Sequence, residues 1–286
     1  IASLLVILTG CEKDQGYSIS GKAEGIENGK MVYVSEVKEL NQRPARIDST
    51  SIENGKFELD LADVENSNLS ALEVEGVNGM VLFISENENI DFTIYKDSIQ
   101  ASKKKGGKEN ELLNEYLEHY QSINKEGNKL GAEMRAAYQS KDSTKLETLQ
   151  ATQKEIIDND KLFKMQIAEE NKDSFISIMA IMDLLRSQQP DIKKIKELYA
   201  SLSEDVKNTP YGEMIGKQLE TMNATEIGSE APDFSGPTPD GEELALADAM
   251  GKVTIIDFWA AWCKPCRQEN PNVVKVYNKY HDKGLN

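Results

Sequence analysis

Residues 251–266, GKVTIIDFWAAWCKPC, read as a buried strand, a short loop and the first turn of a helix. Two cysteines three apart at a helix start bring their sulfurs within disulfide reach, and the positive end of the helix favours a thiolate there. The thiolate is the nucleophile, so the more N-terminal Cys263 is expected to attack a substrate disulfide. Cys266, deeper in the first turn, would then resolve the mixed disulfide. Pro265 suits a position where no N–H is needed. Asp257 interrupts the apolar strand six residues before Cys263. A lone buried carboxyl there should have a raised pKa, whereas on an edge strand it would face water. Glu269, three residues after Cys266, shares its helix face, with an ordinary surface glutamate as the alternative. Pro271 predicts a kink in that helix.

The cysteine pair has competing readings. Half a zinc site would need two more ligands, and outside Cys11 only His119 and His281 are present. A structural disulfide is the other alternative. We expect no metal and no cofactor, because the two sulfurs themselves carry dithiol exchange.

The 251–266 stretch is similar to thioredoxin-like thiol-disulfide oxidoreductases, specifically the membrane-tethered TlpA/ResA type. GSEAPDF at 228–234 and DGEEL at 240–244 resemble the opening hairpin shared with the AhpC/TSA superfamily. The resemblance implies an α/β thioredoxin-like fold over 227–286. It gives Asp257 the role of proton donor and acceptor for Cys266, and has Glu269 lining the active site and tuning the cysteines. Trp262 is expected to shield the disulfide, with Trp259 packed beside it. Lys264 departs from the Gly-Pro dipeptide of thioredoxins, and a cation beside Cys263 should stabilise its thiolate. A peroxidase is a lesser alternative, since Ala260 stands where a peroxiredoxin carries threonine. The next parallel strand should begin at Gly284-Leu285-Asn286, so the fold is expected to be incomplete in this chain and the chain alone poorly active.

Ahead of that segment, residues 110–225 change to helical periodicity. Leu112, Leu113, Tyr116, Leu117 and Tyr120 mark one face of a first helix. Thr144-x-x-Glu147 reads as a capping box opening a second, with Leu146, Leu149, Ile156, Phe163 and Ile167 along it. SFISIMAIMDLL at 174–185 predicts a buried helix. Shorter helices follow, one from Pro190 and Asp191 to Leu202 and one from Tyr211 to Met222. Met165, Met179 and Met182 suit packing better than a soft binding groove.

Before the basic, glycine-containing linker 102–108 (SKKKGGK), seven short β-rich segments between 17 and 99 predict an antiparallel sandwich. Asn28-Gly29 and Asn54-Gly55 are hairpin signals. At the N-terminus, IASLLVIL runs into Leu8-Thr9-Gly10-Cys11, which resembles a bacterial lipobox with Cys11 as the lipidated residue; a buried first strand is the alternative. The expected organisation is a signal-peptide remnant over 1–10, a lipidated tether over 11–16, a β-sandwich over 17–100, a helical module over 109–225 and the first part of a thioredoxin-like domain over 227–286. With no initiator Met and no basic n-region, further residues are expected to precede Ile1.

The chain has 286 residues and a formal charge of −16, which argues against nucleic acid and polybasic membrane contacts. The layout resembles anchored thioredoxin-like lipoproteins of diderm bacteria. The function implied is a lipid-anchored, periplasm-facing reductase of partner disulfides, fed by a membrane thiol electron donor, as in cytochrome c maturation. A non-enzymatic binding lipoprotein with a thioredoxin-like scaffold is the rival from another class.

Overall fold

The computed structural model describes residues 16–38, 43–224 and 228–286. Cys11, the signal-peptide remnant and residues 11–15 of the tether lie outside the described residues. The chain divides into two compact units, one ending at Leu219 and one beginning at Glu220.

The first unit opens with β1 (Tyr17–Glu24), β2 (Met31–Glu36), β3 (Ala45–Ser51), β4 (Lys56–Leu61), β5 (Asn68–Val74), β6 (Val81–Ser85), β7 (Ile90–Tyr95) and β8 (Lys103–Lys105). They form two four-stranded sheets, ordered β4-β1-β7-β8 and β3-β2-β5-β6. Alternation drives this: Tyr17, Ile19 and Ala23 of β1 point inward, while Ser18, Ser20 and Lys22 point out. Ile19, Phe92 and Ile94 of one sheet share a core with Val32, Val34, Leu72 and Phe83 of the other. Phe83 meets Phe92 edge-on at 5.4 Å between ring centroids.

Three expectations are corrected here. β1 pairs with β7 in parallel, with Ile19 opposite Ile90, so the sandwich is not wholly antiparallel. Asn28-Gly29 and Asn54-Gly55 do turn the chain, with Gly29, Asn54 and Gly55 at positive φ. Asn54-Gly55 closes the expected tight hairpin, with Glu53 and Lys56 bridged antiparallel, yet both turns pass the chain from one sheet to the other, and Asn28 Oδ1 accepts from the Gly55 amide at 3.0 Å. Within the presumed linker, residues 103–105 form β8 along β7, with Phe92 opposite Lys104. Three successive lysines conceal the alternation: Lys103 and Lys105 are exposed while Lys104 is buried.

Helices α1 (Lys108–Gln139), α2 (Ser143–Glu170), α3 (Phe175–Arg186), α4 (Ile192–Ser201), α5 (Glu204–Lys207) and α6 (Pro210–Ala224) follow. Asn110, fully buried, clasps both backbone groups of Ile84, accepting from its N–H at 2.9 Å and donating to its carbonyl at 2.8 Å. Glu86 accepts from the amides of Glu109 and Asn110, satisfying free donors at the start of α1. Glu109 in turn accepts from the Ser174 hydroxyl and the Phe175 amide, capping α3. Tyr211 of α6 donates to the Val37 carbonyl at 3.0 Å. These bonds fasten the helices to the sandwich and leave β5 buried on both faces over residues 69–72.

The cap of α2 differs from expectation. Asp142, not Thr144, receives the first-turn amide, that of Lys145 at 2.9 Å. The helix starts at Ser143, so Asp142 holds the N-cap and Thr144 already lies inside the first turn.

The second unit contains a short hairpin, β9 (Ser235–Pro237) with β10 (Glu243–Ala245), and α7 (Lys264–Tyr280). The buried strand expected to open the 251–266 stretch is reduced to a single parallel bridge, Val253 to Leu285. Its ladder bonds are Ile255 N–H to the Asn286 carbonyl at 2.8 Å and Asn286 N–H to the Val253 carbonyl at 2.9 Å. A strand requires a neighbour along its length, and among the described residues, 284–286 are the ones bonded beside this stretch. Strand, helix and parallel partner nonetheless follow the order of a βαβ crossover.

Candidate active site

Cys263 occupies the N-cap of α7 with extended backbone, its Sγ accepting from the Cys266 amide at 3.3 Å. The two cysteines form a disulfide, with Cα atoms 5.3 Å apart. The sulfur of the leading cysteine thus sits where the first-turn N–H groups converge, the environment that stabilises a thiolate once the bond is reduced. Pro265 stands in that turn without forfeiting a bond, and Lys264 is exposed beside Cys263.

The loop before the pair is braced from the helix. Cys263 N–H donates to the Ala260 carbonyl at 3.0 Å, and the Arg267 guanidinium reaches back to the Ala261 carbonyl. Sequence reasoning missed Arg267, although a long cation four residues after the leading cysteine was the available signal. With Lys264 it places two positive side chains next to the disulfide of a strongly acidic chain.

Asp257 is exposed, so the burial expected of it is not observed. No sheet flanks residues 251–260 on both sides among the described residues, so the carboxyl faces solvent. Trp262 is 86% exposed and Trp259 55% exposed. The indoles are exposed rather than packed over the disulfide as expected, since among the described residues no layer covers them. Helix α7 continues through Pro271, whose missing N–H removes one interior bond.

Two predicted residues are brought together. Asp257 and Glu269 both line a groove of about 200 Å³ between residues 255–257, α7 and the chain's last two residues. Glu269 accepts from Asn272 Nδ2 at 3.3 Å to each oxygen. Asn272 was missed, and its i,i+3 spacing from Glu269 was the clue. Among the described residues no group of three His, Cys, Asp or Glu is placed to hold a metal ion.

Comparison with known proteins fits this geometry. Residues 227–286 match the AhpC/TSA family, and residues 17–113 match a domain of unknown function, DUF4369. The thioredoxin-like protein YneN of Bacillus subtilis is 54% identical over 56 residues, covering 20% of this chain and 33% of the relative. The thiol-disulfide oxidoreductase ResA of Bacillus anthracis is 42% identical over 60 residues, 21% of this chain and 35% of the relative. ResA of Geobacillus kaustophilus is 40% identical over 62 residues, 22% of this chain and 36% of the relative. The chain therefore spans about a third of the length of these relatives. No solved structure matches it. The C-terminal segment of this chain, over residues 227–286, is thus of the TlpA/ResA thioredoxin-like type.

Proposed function

We propose that the protein is a lipid-anchored thiol-disulfide oxidoreductase of the cell envelope of a diderm bacterium, reducing disulfides of periplasmic partner proteins in a role like that in cytochrome c maturation. The observation that carries this reading is the Cys263–Cys266 disulfide with Cys263 at the N-cap of a 17-residue helix.

In the reduced state the Cys263 thiolate attacks one sulfur of the partner disulfide. A mixed disulfide forms, and the partner's other sulfur leaves as a thiolate that takes a proton. Cys266, deprotonated, attacks the Cys263 sulfur, reforming the observed bond and releasing the second partner thiol. Two electrons pass to the partner, and a membrane thiol donor returns them. The exposed Asp257 and Glu269, in a common groove, are the carboxylates available to take up the Cys266 proton through water. Lys264 and Arg267 favour the thiolate and an approaching acidic substrate. Anchoring through acyl chains on Cys11 would keep the domain at the membrane.

Redox-buffer titration of the Cys263–Cys266 pair with thiol labelling tests the reading. A potential near roughly −270 mV, where thioredoxin lies, supports a reductase. One near roughly −120 mV would make the protein an oxidant instead. The absence of a reversible transition would leave the binding-lipoprotein reading in its place.

A further inference from the structure

Among the described residues of its own unit, the distal part of the α1–α2 hairpin packs on nothing beyond itself. Over residues 123–157 its packing is limited to a small internal cluster, Leu130, Ala137 and Leu149, with Met134, Leu146 and Ile156 against it. Between the helices lies a largely apolar groove of about 280 Å³, into which Ile123, Met134, Ile156 and Ile157 project. Ile157 is 39% exposed.

Gly127 and Gly131 form the floor of this groove on one side. Both are interior to α1, where glycine weakens a helix relative to alanine. Neither is required by the chain's own packing. A methyl group at 127 would meet nothing within 4 Å, and one at 131 would meet only the end of Arg135 at 3.6 Å. What glycine leaves open is a close approach from outside.

Charge identifies the visitor. Residues 123–157 carry six basic and five acidic side chains, a net charge of +1, whereas the rest of the chain carries −17. Two copies of so acidic a chain repel across most of their surfaces, and this hairpin is a near-neutral segment through which they can meet. The available face is about 25 Å long at 1.5 Å per residue and about two helices, roughly 20 Å, wide. A two-fold contact over it buries on the order of 1,000 Å², the lower bound for a specific interface. We propose that the hairpin tip is the contact through which two copies of this chain form a dimer, the grooves facing each other with Gly127 and Gly131 at their closest approach.

Sedimentation velocity over a concentration series of about 1–200 µM, with reductant present and at physiological salt, tests this. The chain should show a reversible monomer–dimer equilibrium. Gly127→Ala with Gly131→Ala should raise its dissociation constant by at least about tenfold, while raising the urea midpoint of the monomer, because alanine is the better helix former. Ile157→Glu, on an exposed position, should also abolish the dimer with an unchanged circular dichroism spectrum. A chain monomeric throughout the range overturns the proposal, including the case where a different protein binds the groove. A dimer that survives both variants overturns it too, because it would use another face.

Discussion

Lys104→Met should stabilise the first unit at neutral pH, by an amount that vanishes as the pH is raised. The Lys104 residue is 5% exposed, and its ammonium donates to one neutral acceptor, Asn114 Oδ1, at 2.8 Å. Burial pushes its pKa down from 10.5 to about 8. At about 1.36 kcal/mol per pKa unit, keeping the charge below pH 8 costs the native state about 3 kcal/mol. The direction follows from a depressed folded pKa: this stability is fully present above 10.5 and is lost as the pH falls through 8. Methionine removes the charge at similar length but leaves Asn114 Oδ1 without its donor, a loss of about 1 kcal/mol. The expected gain at pH 7 is therefore about 2 kcal/mol, measured by urea unfolding of both proteins at pH 7, 8, 9 and 10. Tyr17 and Tyr116, whose phenols burial pushes upward, lower stability above about pH 10 in both proteins and cancel in the difference. A difference that stays flat from pH 7 to 10 would refute the claim that Lys104 is a buried, carboxylate-free ammonium.

Other outcomes follow from the same contacts. Reduced Cys266→Ser protein should trap a mixed disulfide with a disulfide-containing partner, visible on non-reducing gels, while Cys263→Ser should trap none; the reverse pattern would exchange the roles of the two sulfurs. Gly107→Ala should destabilise by about 2 kcal/mol or more in thermal unfolding, because its methyl would lie 1.9 Å from Glu86 Oε1 at a φ of +78°, and an unchanged midpoint would remove Glu86 from that cap. Glu86 and Glu109 have pKa values raised chiefly by burial, so the native state binds their protons first and the two favour folding as pH falls toward 4. Replacing both with glutamine should steepen the acid-side loss of stability measured in urea melts, and a parallel profile would contradict this. Asp142→Ala should cost about 1 kcal/mol through the lost α2 cap, whereas Thr144→Ala should cost little.

Much of the local structure was legible residue by residue. The alternation in β1, the apolar run that became α3 and the Asn-Gly turns all act over a few neighbours, where side-chain period and backbone preference suffice. The placement of Cys263 at a helix N-cap is similarly local, because Pro265 and the two-residue spacing specify the turn. Pairing was harder to read. Asn54-Gly55 announces a reversal but does not say that the chain will change sheets there, and nothing in β1 distinguishes a parallel from an antiparallel neighbour.

Burial was the quantity least available from sequence, because it depends on what packs from far along the chain. Lys104 reads like its two lysine neighbours, yet β7 and α1 enclose it. Glu86 and Glu109 look like surface carboxylates until helix starts close over them. Asp257 reads like a core acid, yet it is exposed among the described residues. Most helices, the alternating strands, the redox pair and its place on a helix end could be read directly from the residues, since these rest on local geometry and chemistry. Tertiary structure alone decided which charges are desolvated, which sheet each strand joins and which helix face stays open, since solvent exclusion is set by distant residues.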